Sequence, residues 1–195
     1  MTYGEPAARP SEARLRLLST ATRIFYAEGV HAVGVDRIIA EAKVTRATFY
    51  RHFPSKDDLV VTYLREVHQM DRGAVDAAIT AGSAPADTVL AIAGAIAKNI
   101  QSPGFRGCAF LNAAAEYPHP GHPVHQQIIA HRQWFLDTLR VLMAQVAEDS
   151  SDPAARHFVM LRDGAMAAGC LFEPALVADT FLRGVEGLVR IHAQR

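Results

Sequence analysis

Apolar residues recur along this chain at spacings of three and four, and no convincing run alternates apolar with polar. That periodicity predicts an all-α protein of about nine helices. Ser11 is placed to cap a first helix that sets Leu15, Leu18, Thr22, Phe25 and Tyr26 on one side and stops at Gly29. Val35, Ile38, Ile39 and Ala42 fall at i, i+3, i+4 and i+7 and predict a second helix of about two turns, too short to be stable alone. A third helix starts at Thr45 and ends before Pro54, because the residue before a proline is pushed away from helical dihedrals. Ser55, with Asp58 three residues on, caps a fourth that runs to about Ala81. Breaks at Ser83 to Pro85, Ser102-Pro103, the loop YPHPGHP, Asp152-Pro153 and Glu173-Pro174 leave five more helices. These span Pro85 to Gln101, Phe105 to Ala115, Val124 to Glu148, Pro153 to Phe172 and Pro174 to Ala193.

The stretch VTRATFYRHFPSK, Val44 to Lys56, puts two arginines, a histidine, a lysine and three aromatic rings into thirteen residues. At about 100° per residue, Arg46, Ala47, Tyr50 and Arg51 gather on one side and Thr48, Phe49, His52 and Phe53 on the other. The apolar rings therefore turn inward and the guanidinium groups outward. A short helix followed after a tight turn by another with a basic, hydrogen-bonding outer face suits a DNA major groove. Ala47 lets the backbone come close, Arg46 can grip guanine O6 and N7, and Tyr50 can touch a thymine methyl or a phosphate. Arg51, His52 and Lys56 are placed to hold the backbone, Lys56 where the first turn of the fourth helix already favours a phosphate.

Charge sharpens this. The 195 residues carry 20 Lys plus Arg and 20 Asp plus Glu, yet nine of the basic residues and only five of the acidic ones lie at or before Lys56. A basic head on an acidic body points to a polyanion partner at one end. No apolar run of about 18 residues and no signal-peptide order is present, so a cytoplasmic protein without a membrane partner is expected. Cys108 and Cys170 lie far apart and predict packed thiols rather than a disulfide or a metal site.

The segment GVDRIIAEAKVTRATFYRHFPSKDDLV resembles the helix-turn-helix signature of tetracycline-repressor (TetR/AcrR) family transcription regulators, over about the first quarter of the chain. The resemblance implies a three-helix helix-turn-helix DNA-binding domain, residues 1–54. A larger helical ligand-binding and dimerisation domain, residues 55–195, follows, joined through the fourth helix. It further implies that Thr45, Arg46, Tyr50, Arg51, His52 and Lys56 fall on positions that touch DNA, and Phe49 and Phe53 on core positions. Lys43 departs from the family, which often has glycine at this turn. Either the lysine bears a strained left-handed backbone at a cost on the order of 1 kcal/mol, or its ammonium group reaches a phosphate.

Downstream, Phe105, Phe110, Trp134, Phe135, Met143, Phe158, Met160, Met166 and Phe172 read mainly as core. The segment RGCAFLNAAAEYPHPGHP sets Asn112 and Glu116 one turn apart in an apolar helix, and it resembles a glycine, cysteine, asparagine and glutamate pattern of some family members. Buried polar groups need partners. A ligand is one; bracing of neighbouring helices is the other. The expected ligand pocket lies around Phe105, Cys108, Phe110, Leu111, Trp134 and Phe135, with Asn112 and Glu116. His119, His122 and His125 sit on a proline-rich loop rather than one helix face, so no metal is expected. The last two helices mix small residues with an apolar stripe, and the resemblance makes that pair the interface of a twofold homodimer.

These readings converge on a ligand-responsive transcriptional regulator, a repressor that binds a palindromic double-stranded DNA operator as a homodimer and is released by a small-molecule effector. Activation is the other sign of the same mechanism. No nucleophile elbow, phosphate loop, HExxH motif or dinucleotide glycine pattern occurs, so no catalytic residue and no cofactor is expected. Two alternatives remain at this level: an enzyme using His119, His122 or Glu116, and a DNA-binding protein without an effector.

Overall fold

The computed structural model describes residues 11–81, 84–146 and 151–193. Nine α-helices and no strand occur among them: α1 (Glu12–Glu28), α2 (Val35–Ala42), α3 (Arg46–His52), α4 (Lys56–Ala81), α5 (Pro85–Ile100), α6 (Ala109–Glu116), α7 (Pro123–Ala144), α8 (Ser151–Ala168) and α9 (Pro174–Ala193). The expected break at Ser83 lies outside the described residues, and α7 ends at Ala144, with Gln145 as its C-cap, short of the expected Glu148. The chain divides into two compact units between Tyr63 and Leu64, within α4.

In the first unit the helix ends follow the capping chemistry. Ser11 accepts the Arg14 amide at 3.2 Å, Thr45 accepts the Thr48 amide at 3.1 Å, and Ser55 accepts the Asp58 amide at 3.1 Å while its hydroxyl donates to the Asp58 carboxylate at 2.7 Å. Each such cap is worth about 1 kcal/mol. Thr45 is thus the cap of α3 and not its first helical residue. The buried side of α1 is Leu17, Leu18, Ala21, Ile24 and Phe25. Leu15, expected inside, is half exposed, because the apolar stripe centres on the 17, 21, 24 series. α1 packs on α2 and α3, with Phe49 and Phe53 fully enclosed and Phe25 5.8 Å from Tyr63. Outside, Arg37 joins α1 to α2 by donating to Glu28 at 2.6 Å and to Glu41 at 2.8 Å. The Arg37 guanidinium holds the Glu28 carboxyl below the usual range, and Arg23 with Arg37 does so for Glu41.

In the second unit α5 packs on α9 and α7, α7 on α8 and α6, and α8 on α9. Two further helices depart from expectation. α6 begins at Ala109, not Phe105, because Gly104 and Gly107 take φ of 75° and 82° and hold the preceding segment out of helical register. A Cβ at Gly107 would also meet the Cys170 sulfur at 3.2 Å. α8 ends at Ala168, not Phe172, and a turn follows in which the Leu171 and Phe172 amides both donate to the Ala168 carbonyl at 2.9 Å. At that corner a Cβ on Gly169 would stand 2.8 Å from Ile100 and 2.9 Å from Phe105, so only glycine fits. α8 also starts earlier, at Ser151, with Pro153 in the first turn where its missing N–H costs nothing. The core holds Phe110, Phe135, Met143, Phe158 and Met166 as expected, but Met160 and Phe172 are exposed. Cys108 is buried, whereas Cys170, in the turn after α8, is exposed rather than packed.

Lys43 is the one non-glycine residue with positive φ among those described, at φ 52°, ψ 51°. Of the two readings of Lys43, the left-handed backbone is present. Lys43→Gly should raise the stability of the first unit by about 0.5–1 kcal/mol in urea denaturation; a loss instead would mean that the lysine side chain makes a contact worth more than the strain.

Candidate functional site

α3 divides as its sequence predicts. Arg46, Ala47, Tyr50 and Arg51 are exposed, Thr48 and His52 are half-buried, and Phe49 and Phe53 are inside. Phe49 supports Tyr50 edge-on at 5.1 Å and lies 6.2 Å from Phe53, over which Arg14 is placed at 5.2 Å. A seven-residue helix cannot hold its own orientation; the two buried rings do that.

The polar groups of this face are not all idle. The Arg46 guanidinium is hydrogen-bonded to Asp36 of α2, with both side chains largely exposed. A pair of this kind is worth at most about 1 kcal/mol, less than the discrimination of about 1–3 kcal/mol available from a bidentate arginine on guanine. Arg46 can therefore exchange Asp36 for a base edge. His52 bonds through Nε2 to the Ser11 hydroxyl at 3.0 Å, tying the end of α3 to the cap of α1. Its other ring nitrogen, Nδ1, takes no part in that contact. Thr45 is engaged with Thr48, hydroxyl to hydroxyl at 2.9 Å. Lys56 opens α4.

In the second unit the expected pocket residues differ in burial. Phe110 and Cys108 are buried, Phe135 nearly so, and Phe105, Leu111 and Trp134 are half-buried. Asn112 is exposed and donates to the Arg106 carbonyl at 2.8 Å, so it braces the loop before α6; Glu116 is half-buried at the end of that helix. The loop histidines are engaged locally. His119 and His122 accept the Gly121 and Val124 amides at 3.2 Å, His122 as the cap of α7, and His125 bonds the Tyr117 carbonyl at 2.8 Å. Among the described residues no group of three His, Cys, Asp or Glu side chains is arranged to hold a metal. An open recess of about 480 Å³ along α5 and α9, lined by residues including Lys98, Gln101 and Leu182, shares no residue with the expected pocket.

Phe110 leads instead to a polar cluster that the sequence reading did not assemble. The His131 ring stacks on Phe110 with centroids 3.5 Å apart and planes within 3°. Its Nδ1 shares a hydrogen bond with His68 Nδ1 at 3.0 Å, and Trp134 stands edge-on to His68 at 4.9 Å. Asp71 lies 3.7 Å from His131 Nε2, too far for a good hydrogen bond. Beside them Arg162 is buried and donates to Asp163 at 2.9 Å and to the Cys108 sulfur at 3.3 Å. Arg132 donates to both oxygens of the same Asp163. One signal for Arg162 was available: it shares the register of Phe158, Ala165 and Met166, a charge on the buried stripe of α8.

Burial, then the charges of Arg162, His68 and Arg132, pulls His131 from 6.5 down to about 3. Burial also lowers His68, with Arg72 adding to the effect, and raises Asp71, against which Arg162 works. The signs differ. For His131, between pH 6.5 and about 3 the unfolded chain binds a proton that the folded chain does not, so stability falls as pH falls; His68 acts in the same sense. Asp71 binds its proton more tightly when folded and opposes this. His131 alone should cost about 2 kcal/mol between pH 6.5 and 5. His131→Gln should flatten the acid side of the stability profile by that amount in urea denaturation at the two pH values. An unchanged slope would mean that the folded chain protonates His131 normally.

The family model described as bacterial regulatory proteins, tetR family, matches residues 17–62, which takes in α1 to α3 and the start of α4. A solved TetR-family transcriptional regulator from Streptomyces coelicolor is 62% identical, over 93% of this chain and 96% of that one, with a TM-score of 0.92. The HTH-type transcriptional regulator LmrA of Bacillus subtilis is 29% identical over 92 residues, so the chain spans about half the length of that curated relative, 45%. The HTH-type transcriptional regulator YjdC of Escherichia coli is 20% identical over 175 residues, 89% of this chain and 92% of that one. The matched residues include the helix whose outer face carries Arg46 and Tyr50, and the similarity to the Streptomyces protein runs through both units: the chain belongs to the TetR family of transcriptional regulators.

Proposed function

We propose that this regulator is a ligand-responsive repressor that binds a palindromic operator as a homodimer and leaves it when a small molecule occupies the larger unit. One observation carries the reading: a short helix whose Arg46, Ala47, Tyr50 and Arg51 are exposed while Phe49 and Phe53 anchor its other side. On DNA, Arg46 reads a guanine, Ala47 permits close approach, and Tyr50 meets a thymine methyl or a phosphate. Thr45, Arg51, His52 and Lys56 hold the backbone, Lys56 from the first turn of α4. The chemistry is binding alone, with no catalytic step.

The homodimer has its own support. Met160 on α8, Leu171 and Phe172 in the turn, and Leu176 and Ile191 on α9 are each more than half exposed. Large apolar side chains exposed on one pair of adjoining helices favour a covering partner, and a second copy of the chain supplies a self-complementary one. Two reading heads then demand two half-sites. The effector binds in the larger unit near Phe105, Cys108, Phe110, Leu111, Trp134 and Phe135, with Asn112 and Glu116 at the edge. Because DNA and effector favour different arrangements of the dimer, each weakens the other by the same factor.

Selection from a random duplex library at fixed salt should enrich a palindrome. Within it, Arg46→Ala should relax preference at one base pair per half-site, with a loss of about 1–3 kcal/mol there; uniform weakening across all sequences would remove Arg46 from base reading. Phe172→Glu should shift the protein from dimer to monomer in analytical ultracentrifugation. Retention of the dimer would place the interface elsewhere.

A further inference from the structure

Arg162 is the one charged side chain that is buried among the described residues. Arg162 and Arg132 both donate to Asp163, so one carboxylate serves two guanidinium groups. The other bond from Arg162 goes to the Cys108 sulfur, a weak acceptor. Asp163 is the full ionic partner of Arg162 but is shared with Arg132, and the thiol is a weaker second partner. His131 is kept neutral chiefly by burial and then by Arg162, and Asp71 lies at His131 Nε2, 3.7 Å away, with its side chain part-exposed. Around this cation the walls are flat and apolar. The Arg162 guanidinium lies 5.4 Å over the Phe135 ring, Phe135 is 6.0 Å from Trp134, and Trp134 is 5.5 Å from the His131 ring that stacks on Phe110. His68 and Trp134 are only half-buried, so the cluster reaches the surface on that side. Apolar walls with one convergent charged group fix the orientation of a small amphiphilic ligand.

We propose that the effector is a small organic anion, a carboxylate, whose charged group takes the place of the Cys108 thiol at Arg162 and whose apolar body lies against Phe110, Trp134 and Phe135. The inference rests on the reading that the second unit binds an effector, and it adds the chemical class. A carboxylate accepts two parallel bonds from the planar guanidinium, which a thiol cannot do. An uncharged isostere makes weaker bonds to the guanidinium.

Trp134 is the sole tryptophan of the chain and reports on the site directly. The full chain would be titrated with octanoate and octanamide, and with benzoate and benzamide, following Trp134 fluorescence and, in parallel, anisotropy of the selected operator. At least one acid should bind about tenfold or more tighter than its amide, and that advantage should vanish in Arg162→Met, which keeps the apolar stem. The comparison of acid with amide in the unaltered protein decides the matter even where the variant does not fold. Equal binding of acid and amide, an acid advantage that survives Arg162→Met, or no change in Trp134 emission with either pair would overturn the proposal. Operator release by the amides as readily as by the acids would remove the anion while leaving an effector-responsive regulator. Acid-selective binding at Trp134 without operator release would keep the anion site and remove the coupling to DNA.

Discussion

The enclosure of Phe49 and Phe53 is the constraint from which the outer surface of the first unit follows. A helix of seven residues has almost no stability of its own, so α3 exists because its neighbours cover one side of it. Each buried phenylalanine contributes about 1.5–3 kcal/mol, whereas the exposed pair between Arg46 and Asp36 contributes at most about 1 kcal/mol. The aromatic residues, not the charges, therefore set the rotation of the helix. Once they are in place, Arg46, Ala47, Tyr50 and Arg51 have no direction left but outward. The basic residues are then free to exchange partners without disturbing the fold that presents them.

The two units handle charge in opposite ways. In the first, Arg23, Arg37, Glu28 and Glu41 form a network on the surface, where water moderates each interaction. In the second, Arg162 and His131 lie within the core, where a small number of partners must do what water otherwise would. The consequence is that surface charges can be rearranged at little cost, while any change at the buried cluster is felt by every member of it.

Local chemistry is what the sequence makes legible. Ser11, Thr45 and Ser55 cap helices because a hydroxyl and an amide three residues on are close by necessity, and the faces of α3 follow from period alone. The start of α6 and the end of α8 are less legible, since they depend on Gly107 meeting Cys170 and on Gly169 meeting Ile100 and Phe105, contacts between distant parts of the chain. Leu15 of α1 stays outside although Leu18 and Phe25 are buried, because the apolar residues of that helix outnumber the places inside. At the candidate sites the same rule holds. The residues proposed to face DNA lie within twelve positions of one another and declare themselves together, but His68, Cys108, His131 and Arg162 come from four helices or their caps and share no local pattern.

The exposed apolar side chains along α8, its following turn and α9 bear on more than assembly. A chain that covers them with its own copy acquires a stability tied to its concentration. Below the dissociation constant of the pair, the concentration of two-headed protein rises with the square of the number of protomers, and operator occupancy rises with it. A modest change in synthesis would then produce a disproportionate change in control. In the proposed homodimer, Met160, Phe172 and Leu176 thus bear on how sharply the cell's supply of this regulator is converted into silence or expression.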